Sequence, residues 1–104
     1  MDLVDLDMYN VAIEIGNSVW EMVDKFSFFA KDTVGKQFVR AADSIAANIS
    51  EGEGAYYSGD KLRYLYYARA SLYETRTWLT NVSSRKLITE IDNQNLEELM
   101  NRCL

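Results

Sequence analysis

Proline is missing from this 104-residue sequence, and glycine occurs only five times. Proline breaks helices and glycine loosens them, so their scarcity favours long uninterrupted helices over a strand-and-turn fold. Histidine is missing as well. That removes the commonest general base, the commonest metal ligand and the usual neutral-pH switch. The single cysteine, Cys103, cannot form an internal disulfide. It fits a reducing compartment and a free thiol without a special task. No run of about 18 apolar residues is available to cross a membrane. No basic-then-apolar leader opens the chain, which begins Met1-Asp2-Leu3-Val4-Asp5. We therefore expect a cytoplasmic protein with no membrane contact, no cofactor, no metal and no small-molecule substrate.

What is present suits one domain: 48% hydrophobic and 26% charged residues. The net charge is −5, which opposes non-specific nucleic-acid binding as a bulk property. The charge is uneven, however. Residues 1–30 and 87–104 are acidic, whereas residues 31–86 carry nine bases against six acids.

The spacing of apolar residues predicts four helices, over roughly residues 5–26, 33–51, 59–83 and 90–104. The first helix shows two apolar seams, Leu6-Tyr9-Ile13-Gly16-Trp20-Val23 and Met8-Ala12-Ile15-Val19-Met22-Phe26. A surface helix needs only one. One seam packs inside the domain, and the other is either core or a subunit contact. Phe28 and Phe29 are expected to plug the end of the bundle. Asp32 or Thr33 would cap the second helix, and Ser58 the third. The second helix buries Phe38, Ala41, Ile45 and Ile49 and ends in Gly52 and Gly54, which tolerate left-handed backbone. Leu65, Ala68, Leu72, Thr75, Leu79 and Val82 mark the inner seam of the third. The fourth is short or frayed. Short connections make the default an all-α, antiparallel up-down-up-down four-helix bundle.

Residues Gln37 to Glu74 resemble the family of proteins encoded in intervening sequences of bacterial 23S ribosomal RNA genes, also called S23 ribosomal proteins. The matching residues are Gln37, the run from Arg40 through Ser44-Ile45-Ala46-Ala47-Asn48-Ile49-Ser50-Glu51 to Gly52, then Ser58, Arg63-Tyr64-Leu65, Ala68, Ser71-Leu72 and Glu74. The resemblance implies a left-handed four-helix bundle that associates into rings, typically pentamers, with no established enzymatic role. One branch serves as the accessory variability determinant of diversity-generating retroelements. It partners a reverse transcriptase and touches nucleic acid through a basic surface. This sequence departs from the pattern at Ala55, where a basic residue is usual, in lacking a proline before the second helix, and in its acidic balance.

Three sets of residues invite a functional reading. Arg40, Ser44, Asn48 and Glu51 share one polar line on the second helix. As structural residues, Arg40 would meet Glu74 on the third helix and Asn48 would hold the backbone at Gly52. An enzyme would have to build a metal or carboxylate site from Glu51, Glu53 and Arg40, but two carboxylates without calcium-loop spacing are better read as solvated charges. Six of the seven tyrosines lie between Tyr56 and Tyr73, interleaved with Lys61, Arg63 and Arg69. Tyr66, Arg69, Tyr73 and Arg76 form one stripe. Such a stripe can stack bases and neutralise phosphates, but tyrosine and arginine are also favoured anchors of protein contacts. We expect a homo-oligomeric, non-enzymatic scaffold, associated with RNA or ribonucleoprotein by resemblance. A retroelement accessory binding reverse transcriptase and nucleic acid is the alternative.

Overall fold

The computed structural model describes residues 1–104. Its regular structure is entirely helical, with α1 (Leu3–Asp24), α2 (Lys36–Glu53), α3 (Ser58–Ser84) and α4 (Glu90–Arg102). One α-helical turn, Phe28–Ala30, and a π-helical segment, Lys31–Gly35, lead without a break into α2. α2 packs against both α1 and α3, while α4 lies on α1 and more lightly on α3. No helix is long and apolar enough to cross a membrane.

Asp2 starts α1, its side chain accepting a hydrogen bond from the Asp5 N–H at 2.8 Å. Of the two seams on this helix, the one through Ala12, Ile15, Val19, Met22 and Phe26 enters the core. The other divides along its length. Gly16 and Val23 are buried, whereas Leu6, Ile13 and Trp20 remain exposed. On α2, Phe38, Ala42, Ile45 and Ile49 face inward at three-and-four spacing. Each large side chain buried there contributes about 1.5–3 kcal/mol. Leu72, Thr75, Leu79 and Val82 of α3 complete the centre.

Four local expectations need correction. The second helical stretch begins at Ser27, whose hydroxyl accepts from the Ala30 N–H, and not at Asp32 or Thr33. The π turn keeps the chain helical where a new start was expected. Phe28 and Phe29 do not plug the bundle; they are 82% and 76% exposed. The Ser27 cap sets Phe26, Ala30 and Val34 inward at four-residue spacing, which turns the two phenylalanines outward. Ser58 is the first residue of α3, preceded by extended Tyr57 with no side-chain cap. Neither Gly52 nor Gly54 adopts left-handed backbone. Gly52 matters instead for proximity: a Cβ there would lie 3.2 Å from the Lys61 carbonyl oxygen and the Tyr64 Cβ, so its bare α-carbon lets α3 come close. The left-handed corner falls at Lys86 (φ 59°), between α3 and α4.

α4 is 13 residues long against 27 for α3. Thr89 caps it by accepting from the Asp92 N–H at 3.1 Å. Its final turn is anchored, with Met100 and Cys103 buried and the Cys103 thiol 3.9 Å from the Met8 carbonyl oxygen. Burial, and then the charge of Asp7, push that thiol up to about 11. It stays protonated and unreactive at neutral pH.

Candidate interaction surfaces

The polar line on α2 is satisfied within its own helix. Ser44 Oγ donates to the Arg40 carbonyl at 2.7 Å, and Asn48 Nδ2 donates to the Ser44 carbonyl at 2.9 Å. This is the backward bonding that short polar side chains adopt when they stay helical. Arg40 does not reach Glu74; its guanidinium donates to Gln37 Oε1. Glu74 accepts instead from Trp78 Nε1 at 2.9 Å. Asn48 likewise does not hold the Gly52 backbone. The cross-helix pairing read from the sequence is replaced by contacts three and four residues apart, which share one helix face.

The tyrosine-rich stretch of α3 is unequal along its length. Lys61 is already engaged: its ammonium donates to Asp5 Oδ2 at 2.8 Å and pairs with Glu53 Oε2 at 2.9 Å. Those bonds, to Asp5 first and then to Glu53, hold the Lys61 ammonium above its ordinary value. Lys61 in turn holds the Glu53 carboxyl below its ordinary value. Asp5 is the one buried charged residue, and Lys61 supplies the opposite charge its burial demands. Arg63 pairs with Asp60 at 2.9 Å and lies 5.7 Å from the centre of the Tyr64 ring. Arg76 turns toward α4, where its Nη2 donates to Asn101 Oδ1 at 3.0 Å.

Three members of the predicted stripe remain open to solvent together: Tyr66, Arg69 and Tyr73. The Arg69 guanidinium sits 5.6 Å from the centre of the Tyr73 ring. The guanidinium beside it holds the Tyr73 phenol below the usual range. The openness has a geometric cause. Asn101, in the last turn of α4, meets Arg76, so the fourth helix ends before it could cover the earlier turns of α3. Glu51 is exposed, and with Glu53 committed to Lys61 the two carboxylates form no paired site.

One surface was not anticipated. Between the C-terminal half of α1 and the start of α2 lies a groove of about 370 Å³. Trp20 lines it from α1, and Lys31, Lys36 and Arg40 line it from the π segment and α2. A π turn leaves no signature in residue pattern, so the sequence offered no sign that these side chains share a surface. Only the excess apolar seam through Trp20 pointed toward it.

A family model described as 23S rRNA-intervening sequence protein matches residues 4–104. No curated protein matches the chain. Among solved structures, the fold is similar to the crystal structure of a protein of unknown function from the S23 ribosomal protein family of Bacteroides thetaiotaomicron VPI-5482. The TM-score is 0.80 and the identity 22%, over 90% of this chain and 88% of that one. At that identity the likeness speaks for the fold alone.

Proposed function

The chain belongs to the family of 23S rRNA-intervening sequence proteins, and from that premise we propose that it works by binding and not by catalysis. It is a non-enzymatic scaffold whose first partner is another copy of itself. The observation that carries this reading is the uncovered apolar surface of α1, where Leu3, Val4, Leu6 and Ile13 stand exposed. Tyr66 and Tyr73 of α3 add exposed aromatic surface. Grouped apolar surface of this kind marks interaction sites. The finer topology in this reading is an antiparallel, left-handed up-down-up-down bundle, supported by the short connections at residues 54–57 and 85–89. By family resemblance the assembly is a ring, typically of five subunits, in the cytoplasm.

Light scattering on the full chain at micromolar concentration tests this. The expected mass is a multiple of 12.0 kDa. Leu6→Glu combined with Ile13→Glu is expected to reduce it toward a single subunit. A wild-type mass of one subunit overturns the reading.

A second reading, the retroelement accessory, draws on the open Tyr66, Arg69 and Tyr73, where aromatic faces and a guanidinium alternate. It requires binding to a reverse transcriptase or structured RNA that weakens steeply with salt and is lost in Tyr73→Asp combined with Arg69→Glu. Binding unaffected by that double change removes the stripe from the argument.

A further inference from the structure

The groove beside Trp20 adds cations to the exposed α1 seam that runs through Leu6, Ile13 and Trp20. Lys31, Lys36 and Arg40 stand five and then four residues apart. In a regular α-helix a five-residue step points side chains in different directions. Here the Lys36 N–H bonds to the Lys31 carbonyl, the i to i+5 closure of a π turn, and all three cations line one groove. Such turns occur frequently at functional sites. Asp24 is the only carboxylate in the lining, and its contact with Lys31 is loose at 3.8 Å. Lys36 is paired at its outer side with Asp32 at 2.7 Å. In a chain with a net charge of −5, three cations against Asp24 and Asp32 still leave a local positive site.

The remaining lining is apolar. Val23 and Val39 contribute hydrocarbon, and Gly35 contributes none because a Cβ there would lie 2.8 Å from Val23 Cγ1. Trp20 is 62% exposed, with an indole available for stacking. The groove volume falls within the range of small-ligand sites. An aromatic ring beside clustered cations matches a ligand that is planar at one end and anionic at the other.

We propose that the groove bounded by Trp20, Lys31, Lys36 and Arg40 binds a nucleotide, stacking its base on the indole and holding its phosphate among the three cations. The nucleotide comes either free in solution or as one unpaired residue of an RNA strand. The site lies further along the α1 seam than Leu6 and Ile13, and none of its lining residues is changed in Leu6→Glu with Ile13→Glu.

The test uses the full chain carrying Trp78→Phe, which leaves Trp20 as the only tryptophan. Its fluorescence is followed during titration with adenosine monophosphate, adenosine and a short adenylate RNA. Saturable quenching by the monophosphate is expected at millimolar concentration or below, with adenosine at least roughly tenfold weaker. Lys36→Glu with Arg40→Glu is expected to weaken binding by at least roughly tenfold, with circular dichroism unchanged because both side chains are exposed. Lys31→Gln is the milder companion, and added salt is expected to weaken binding in parallel. Both probes binding alike, nucleotide for nucleotide, assigns a free nucleotide; much tighter binding of the strand assigns RNA. No saturable quenching by either probe, equal affinity for adenosine, or indifference to both charge changes overturns the proposal.

Discussion

The two ends of the α1–α2 pair carry similar side chains and use them in opposite ways. At one end Asp5 and Glu53 both meet Lys61, and the Met1 amino group pairs with Glu53 at 3.3 Å, two carboxylates for two cations. At the other, Lys31, Lys36 and Arg40 line a groove that contains only Asp24. The first arrangement is internally neutralised and fastens three helices together. The second leaves charge facing outward. The difference lies in local acid count and in burial, not in residue type. A lysine listed by sequence position alone is equally eligible for either task.

Each end has a close backbone approach, at Gly35 and at Gly52, but Gly59 beside Lys61 is open, and the contrast between Gly35 and Gly59 gives the largest expected effect. Gly35 lies where a Cβ would meet Val23 Cγ1 at 2.8 Å and the rigid Ala30 carbonyl oxygen at 3.0 Å. Gly35→Val is expected to destabilise the fold by about 2–3 kcal/mol in urea unfolding, the cost of overpacking. Gly59, at the Lys61 end, has nothing within 4 Å of the same position. Gly59→Ala is expected to stay within about 0.5 kcal/mol of wild type. Equal losses at both positions would show that the crowding around the Gly35 Cβ position is not what sets the cost.

Next in size is Lys61→Met, which strands the buried Asp5 carboxylate. A fall in melting temperature is expected at neutral pH, and its pH dependence carries the diagnosis. Glu53 is held below its ordinary 4.5, so its contribution is complete above that value and is lost as the pH falls below it. Lys61 is held above its ordinary 10.5, so its contribution is complete below that value and is lost as the pH rises past it. The gap between variant and wild type should be widest between those limits and narrow outside them. A gap independent of pH would mean that the lysine acts through its hydrocarbon stem.

The smallest effect concerns Arg69 and Tyr73. The Arg69 guanidinium favours the phenolate, so Arg69→Ala should move the Tyr73 titration upward, read by phenolate absorbance. An unchanged midpoint would mean that the guanidinium does not dwell on the ring.

The helices were legible because their causes are local. The stripe Phe38, Ala41, Ile45 and Ile49 and the inner seam of α3 follow from spacing, which any short window of sequence displays. The excess apolar seam on α1 was legible too, and the structure resolves it into exposed Leu6, Ile13 and Trp20 beside buried Gly16 and Val23. What escaped depends on a departure from α-helical pitch or on partners far apart in sequence. The π turn at Lys31–Gly35 moved the start of the second helical stretch to Ser27 and gathered the groove cations. Lys61 looked available because its partner Asp5 lies 56 positions away. The Arg40–Glu74 pairing failed for the converse reason, since Gln37 and Trp78 offered nearer partners.

Cys103 also has a practical use. Its sulfur is roofed by α1 at the point where the fourth helix comes to rest against Met8. A reagent that alkylates thiolates must wait until that helix lifts away. The labelling rate therefore counts detachments of α4, and a single native atom serves as a clock for the most lightly held quarter of the molecule.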